Sequence, residues 1–237
     1  MTSRSATAKD YLVGLPEDWE VPDPPPKEPD MQQDIWIFEF RGILRAHLGH
    51  RDDVLIAGGG YLRNDPRDDN ERFVPDCVVA FGVNPNAIVA RNGYVIGHAG
   101  KPPDFVLEVA SRSTGRRDYT VKRDGYAAYG VREYWRFDHT AGRFHDAPLA
   151  GDTLTGEEYT PIPINHDQSG LIWGHSEVLS LDVCWEAGTL RLRDPATGKF
   201  LLKPEELQSE LEASRARAET AEAQVAALEA ELRRLRG

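Results

Sequence analysis

Glu108 sits in the run Phe105-Val-Leu-Glu-Val109, which is otherwise apolar and follows Pro102-Pro103. A carboxylate left unpaired inside such a run would be costly, so Glu108 demands a partner. Asp76 follows Pro75 at the head of a second short apolar run, Cys77 to Phe81, and Lys122 lies on the stretch after Glu108. Two carboxylates from neighbouring strands suit Mg2+, with Mn2+ as a substitute, because such an ion takes oxygen ligands and keeps waters for a phosphate substrate. The ion can polarise a phosphoryl oxygen and acidify a bound water. A nearby ammonium can hold the attacking water or stabilise developing negative charge. Together these groups make a set for cleaving phosphodiesters. Each also has an ordinary reading. Asp76 can begin a turn, Glu108 can pair with Arg112 or Arg117, and Asp118 with Lys122 has the i,i+4 spacing of a helix ion pair.

The surrounding charge favours the phosphate reading. Residues 112–123 hold Arg112, Arg116, Arg117, Lys122 and Arg123 against one acid, Asp118, in a chain whose net charge is -11. That balance excludes a general nucleic-acid coat, which needs broad positive charge. A local basic patch allows Arg112, Arg116, Arg117 and Arg123 to meet DNA phosphates, although a solvated helix face has the same composition.

The elements that must position these groups are legible from pattern. Val54 to Ala57, Cys77 to Phe81, Phe105 to Val109 and Glu133 to Phe137 are short, rich in β-branched or aromatic residues and bounded by Gly or Pro, as buried strands are. Asp118 to Tyr129 has helical spacing and stops at Gly130. A strand, strand, helix, strand order predicts an α/β core. Upstream, a helix is expected from an Asp34 cap to Gly49, burying Trp36, Phe40, Ile43 and Leu44. Residues 1–33 contain Val21-Pro-Asp-Pro-Pro-Pro-Lys-Glu-Pro29 and read as an extended arm. A polar loop is expected from Leu62 to Arg72. Beyond Asp138, turns at His139–Gly142, Asp152-Thr153, Trp185–Thr189 and Asp194–Gly198 predict β-hairpins lying against the core.

Four blocks carry a family resemblance: Val74-Pro-Asp-Cys-Val-Val-Ala80, Lys101-Pro-Pro-Asp-Phe-Val-Leu-Glu-Val-Ala-Ser111, Asp118-Tyr-Thr-Val-Lys122 with Tyr126, and Gly130-Val-Arg-Glu-Tyr-Trp135. In order and spacing they closely resemble the Uma-two family of restriction endonucleases, from about residue 31 to 206. The resemblance implies a restriction-endonuclease-like mixed β-sheet flanked by helices, within the PD-(D/E)xK nuclease superfamily, and a Mg2+-dependent endodeoxyribonuclease. It makes Asp76 and Glu108 the metal carboxylates and Lys122 the catalytic lysine. The chain departs from the superfamily pattern at Ala110, two residues after Glu108, where a lysine is expected. The resemblance implies that Lys122 reaches the same space from the following helix. Asp104, Ser111 and Tyr126 belong to the matching blocks, but strand start, turn formation and helix packing account for them. A non-catalytic nucleic-acid-binding or assembly protein that keeps the fold is the alternative, and RNA is an alternative substrate to DNA.

Other signals are weak. Gly58-Gly59-Gly60 lacks the Gly-Lys-Ser/Thr of a phosphate loop. His47 and His50 have no zinc partner at suitable spacing, Ser111 lacks the G-x-S-x-G elbow, and Cys77 reads as a small buried hydrophobe. Two cysteines make no disulfide framework, and neither a signal peptide nor an apolar run of roughly 18 residues is present, so a soluble cytoplasmic protein is expected.

After Pro204 the composition turns to Ala, Glu, Leu and Arg. Leu207, Leu211, Ser214, Ala218, Ala221, Val225, Leu228, Leu232 and Leu235 step by 4 and 3, the a and d positions of four heptads. A parallel pair would match Glu210 with Arg215, Arg217 with Glu222 and Glu231 with Arg236, while a helix folded back on its own domain is the rival. The expected organisation is an arm (1–33), a nuclease domain (34–202) and a homodimeric coiled coil (203–237).

Overall fold

A computed structural model of the chain describes residues 31–65, 72–112 and 115–236. The proline-rich arm up to residue 30 and positions 66–71 of the expected polar loop lie outside the described residues. The chain divides into two compact units, one ending at Leu201 and the other starting at Leu202.

In the first unit, helix α1 (Met31–Leu48) precedes β1 (Val54–Ala57), β2 (Tyr61–Arg63), β3 (Arg72–Phe73) and β4 (Cys77–Phe81). Short helix α2 (Pro85–Val89), β5 (Gly93–Val95), α3 (Ile96–Ala99) and β6 (Phe105–Val109) follow. Then come α4 (Gly115–Asp118), α5 (Val121–Ala128), β7 (Glu133–Phe137), β8 (Leu149–Thr155) and β9 (Glu158–Pro161). The unit closes on β10 (Ile164–His166), β11 (Ile172–Ser176), β12 (Leu181–Glu186) and β13 (Thr189–Arg193).

The main sheet runs β1-β4-β6-β7-β8-β9. Only β6 and β7 pair in parallel, joined by the crossover through α4 and α5; the other neighbours are antiparallel. Side chains alternate across a strand, and here the alternation sorts two cores. Phe105, Leu107 and Val109 of β6, Cys77 and Val79 of β4, and Trp135 and Phe137 of β7 face Phe40, Ile43 and Leu44 of α1 and the inward residues of the β10-β11-β12-β13 meander. Val106 of β6, Val78 and Ala80 of β4 and Tyr134 of β7 face the other way, toward Tyr126 of α5. By parity Asp76 and Glu108 belong to this second face.

Several expectations need correction. Helix α1 begins at Met31, so Asp34 lies in its first turn rather than capping it. Part of the expected polar loop is strand β2, whose Leu62 is fully buried and which pairs with β3 and β5 in a small sheet; three residues are too few to show a period. The single expected helix over 118–129 is two, because Thr120 (φ -121°, ψ -97°) leaves helical geometry. The Asp118 carbonyl there accepts from the Tyr134 hydroxyl at 2.7 Å. Asp152-Thr153 lies inside β8 rather than in a turn, because Asp152 is paired with both Arg123 and Arg136 and so tolerates burial. The turn falls at Gly156, whose φ of +68° suits glycine. The Ala187-Gly188 and Asp194–Gly198 turns stand where expected, each with a positive-φ glycine.

The second unit is one helix, α6 (Pro204–Arg236). Its Leu207, Leu211, Val225, Leu228, Leu232 and Leu235 are 44–72% exposed. Among the described residues no helix is long and apolar enough to cross a membrane.

Candidate active site

The site lies on the α5 face of the main sheet. The antiparallel register that sets Cys77 against Leu107 carries Asp76 opposite Glu108 one step further on. Asp76 is fixed in place, with Oδ2 accepting from the Val109 amide at 2.9 Å. Its backbone is held as well, because Gly59 donates its amide to the Pro75 carbonyl at 3.1 Å. A Cβ on Gly58 would stand 2.1 Å from the Asp76 carbonyl oxygen. The triple-glycine turn therefore allows close backbone approach beside Asp76.

Glu108 is 1% exposed. Its two oxygens are taken by residues one turn apart on α5. Oε1 accepts from the Tyr126 hydroxyl at 2.6 Å, and Oε2 lies 2.8 Å from Lys122 Nζ. The Lys122 ammonium also reaches Asp118 Oδ1 at 2.7 Å, and Asp118 Oδ2 lies 2.9 Å from His145 Nε2. The two candidate partners of Lys122, Glu108 and Asp118, are thus both engaged at once. Neither Arg112 nor Arg117 is the partner that Glu108 required.

Burial dominates the electrostatics. It pushes the Glu108 carboxyl up to about 8; the Lys122 ammonium pulls the other way without overcoming it, and the Asp76 and Asp118 carboxylates add to the rise. Burial works against the Lys122 charge too, but Glu108, Asp118 and Asp76 outweigh it and hold Lys122 above the ordinary lysine value. Tyr126 is driven well above the ordinary phenol value, by burial first and then by Glu108, so it remains a donor.

Asp76, Asp118 and Glu108 gather three buried carboxyl groups around one ammonium, an acidic surplus that suits a cation once Glu108 gives up its proton. Among the described residues no group of three or more His, Cys, Asp and Glu is arranged to hold a metal ion by itself. Asp76 and Glu108 offer a pair of hard oxygen ligands, the number Mg2+ commonly takes from a protein. The donor set fits the ion.

A family model described as "Putative restriction endonuclease" matches residues 25–176. The chain belongs to this family, Uma2. Its mixed sheet with helices on both faces is the α/β architecture expected of a Uma2 protein. Among solved structures the chain is similar to one from Anabaena variabilis ATCC 29413 described as "a putative nuclease belonging to DUF820". The identity is 14% and the TM-score 0.44, over 74% of this chain and 92% of that one. Comparison with curated proteins gave no match.

The basic patch of this Uma2 chain divides. Arg112, Arg116 and Arg117 are exposed beside the site. Arg123 is engaged elsewhere: its guanidinium reaches Asp152 Oδ1 at 2.8 Å and the Tyr159 carbonyl at 3.0 Å, and lies over the Tyr159 ring. Sequence reasoning missed three participants. Tyr126 passed as a packing residue, Asp118 as a surface ion-pair partner, and His145 carried no local signal at all. The four-residue spacing of Asp118, Lys122 and Tyr126 was the available clue. Cys77 is fully buried, and burial pushes its thiol up to about 12, as an inert core residue requires.

Proposed function

We propose that this Uma2 chain is a metal-dependent endonuclease that hydrolyses DNA phosphodiester bonds, with residues 34–202 as the nuclease domain. The observation that carries the reading is the Lys122 ammonium, 2.8 Å from Glu108 on the sheet face that also bears Asp76. Asp76 and Glu108 would hold Mg2+, or Mn2+ in its place. When bound, the ion supplies a Lewis acid for the phosphoryl oxygen and an acidified water. The chain's own groups do the rest. Glu108 must release its proton to serve as a ligand, and the adjacent Lys122 charge lowers the cost of that release. With Glu108 engaged as a ligand, the Lys122 ammonium, still held by Asp118, would be available to hold an attacking water or face the developing negative charge. The exposed Arg112, Arg116 and Arg117 would receive the phosphate backbone.

A purely structural ion network shares one of these features, since Lys122 is only 12% exposed and satisfies two carboxylates. Plasmid nicking separates the two readings. The wild type should nick supercoiled DNA with Mg2+ and not with EDTA, and Asp76→Ala should abolish nicking while its circular dichroism stays native. A folded Asp76→Ala that nicks at the wild-type rate sinks the proposal.

The occupant proposed for the exposed leucine face of α6 is a second copy of this chain, in a parallel coiled coil over 203–237. The charges flanking the seam are complementary between two copies, Glu210 with Arg215 and Arg217 with Glu222. Within one helix Arg217 meets Glu210 at 3.0 Å, but both side chains are nearly two-thirds exposed, so little opposes their exchange to a partner. Two copies would bring two active sites to the two strands of a duplex.

A further inference from the structure

We infer that Asp118 and His145 are a positioning pair that holds the Lys122 ammonium at Glu108; the inference rests on the nuclease reading for its consequence, and on geometry for its substance. A lysine side chain has four rotatable carbons and a point charge with no directional preference, so a catalytic ammonium needs external restraint. Here the restraint is a buried chain of contacts, His145 Nε2 to Asp118 Oδ2 at 2.9 Å and Asp118 Oδ1 to Lys122 Nζ at 2.7 Å. His145 and Asp118 side chains are fully buried. A carboxylate can only accept, so the imidazole donates from Nε2, and Asp118 is aimed as a metal-bound histidine is aimed by its outer carboxylate.

Three further features serve this contact. First, the loop that delivers His145 is wound around Asp138, whose carboxylate accepts from the Thr140, Phe144 and His145 amides at 2.7, 2.7 and 2.9 Å. Second, the loop reaches α4 only because Gly115 stands there. A Cβ at Gly115 would lie 2.2 Å from the Phe144 carbonyl oxygen and 3.3 Å from the His145 ring. Third, the Tyr134 hydroxyl binds the Asp118 carbonyl at 2.7 Å, anchoring α4 to β7 where the helix breaks. Asp118 is thus held through its backbone by the sheet and through its side chain by the loop.

His145→Gln keeps a donor near the position of Nε2, and His145→Leu fills the space without one. Two readouts are taken on the full chain: nicking kinetics with Mg2+, and the exchange rate of the Lys122 ammonium protons by 1H-15N NMR. His145→Leu should lower kcat by about 10- to 100-fold, the usual cost of losing an orienting partner, with KM for DNA unchanged. His145→Gln should restore kcat to within a few-fold of the wild type. The Lys122 ammonium should exchange slowly in the wild type and in His145→Gln, and fast in His145→Leu. A His145→Leu protein with wild-type kcat and a slowly exchanging ammonium overturns the inference. If His145→Leu does not fold, the wild type decides: a Lys122 ammonium that exchanges as fast as that of the exposed Lys199 overturns it as well. If the wild type cleaves no DNA, the nuclease reading fails alone, and the ammonium exchange still decides the positioning.

Discussion

Replacing Glu108 by Gln keeps the side chain's shape and removes its titration. In the folded chain burial lifts this carboxyl from the ordinary 4.5 to about 8. The sign follows directly. Between those two values the folded state keeps a proton that the unfolded state has released, so stability falls as pH rises through the window and levels off above about 8. One proton corresponds to about 1.4 kcal/mol per pH unit. Over the whole window the ceiling is about 5 kcal/mol, a large share of the roughly 5–15 kcal/mol that holds a domain folded. A cation on Asp76 and Glu108 competes with that proton, so Mg2+ should flatten the slope and stabilise the chain more at pH 8 than at pH 6. Five tryptophans report unfolding. Urea melts of the wild type and Glu108→Gln from pH 5 to 9, with EDTA and with Mg2+, give the difference curve. The difference isolates Glu108 from other titrating groups: the variant should gain on the wild type as pH rises and show no stabilisation by Mg2+. Parallel curves for the two proteins in EDTA would refute the assignment of an ion-accepting, burial-shifted carboxylate.

Three other outcomes are expected. Arg112, Arg116 and Arg117 replaced together by Ala should weaken DNA binding without changing the melt, and should reduce the salt slope by about 0.9 for each phosphate no longer neutralised; an unchanged slope removes them from the interface. Gly125→Ala should destabilise the first unit by roughly 1–3 kcal/mol, because the new Cβ would lie 2.1 Å from Cζ of Phe73. That ring, packed on Tyr126 and Tyr129, has little room to retreat, and a melt within error of the wild type would contradict this packing. Truncation after Lys203 should turn a dimer into a monomer by light scattering, and a full-length monomer at micromolar concentration would refute the coiled coil.

How much of this was legible in the sequence depends on the range over which each feature is determined. Strands β4, β6 and β7 are buried on both faces, so continuous apolar runs between Gly and Pro mark them without any knowledge of neighbours. The three-residue strands β2 and β5 have no such signature, and only their pairing makes them strands. The break at Thr120 was hidden because its cause, Tyr134 on the Asp118 carbonyl, comes from the next strand. Likewise Glu108 announced that it needed a partner, while the partner's identity was a tertiary fact. His145 was invisible for the same reason. It lies 27 residues from Asp118 and arrives on a loop whose course is set by Asp138 and by the missing side chain of Gly115.

The placement proposed for the lysine, on α5 rather than on the strand, has a physical account in the same terms. The PD-(D/E)xK pattern that the sequence resembles has a lysine two residues after the second carboxylate, on the same strand face. That position is Ala110, fully buried here, with its amide bound to the Phe137 carbonyl at 2.8 Å. Helix α5 packs across that face, and positions four apart on a helix share a side. Lys122 and Tyr126 therefore descend together on the two Glu108 oxygens, while Asp118 meets Lys122 from the end of α4, across the break at Thr120. The Asp118, Lys122, Tyr126 stripe is indistinguishable in sequence from a solvated ion-pair face, because spacing fixes which residues share a side but not where that side looks. What settles it is the strand beneath. A face that must cover Val106, Glu108 and Tyr134 looks inward, so an ammonium on it is delivered to the buried carboxylate rather than to water.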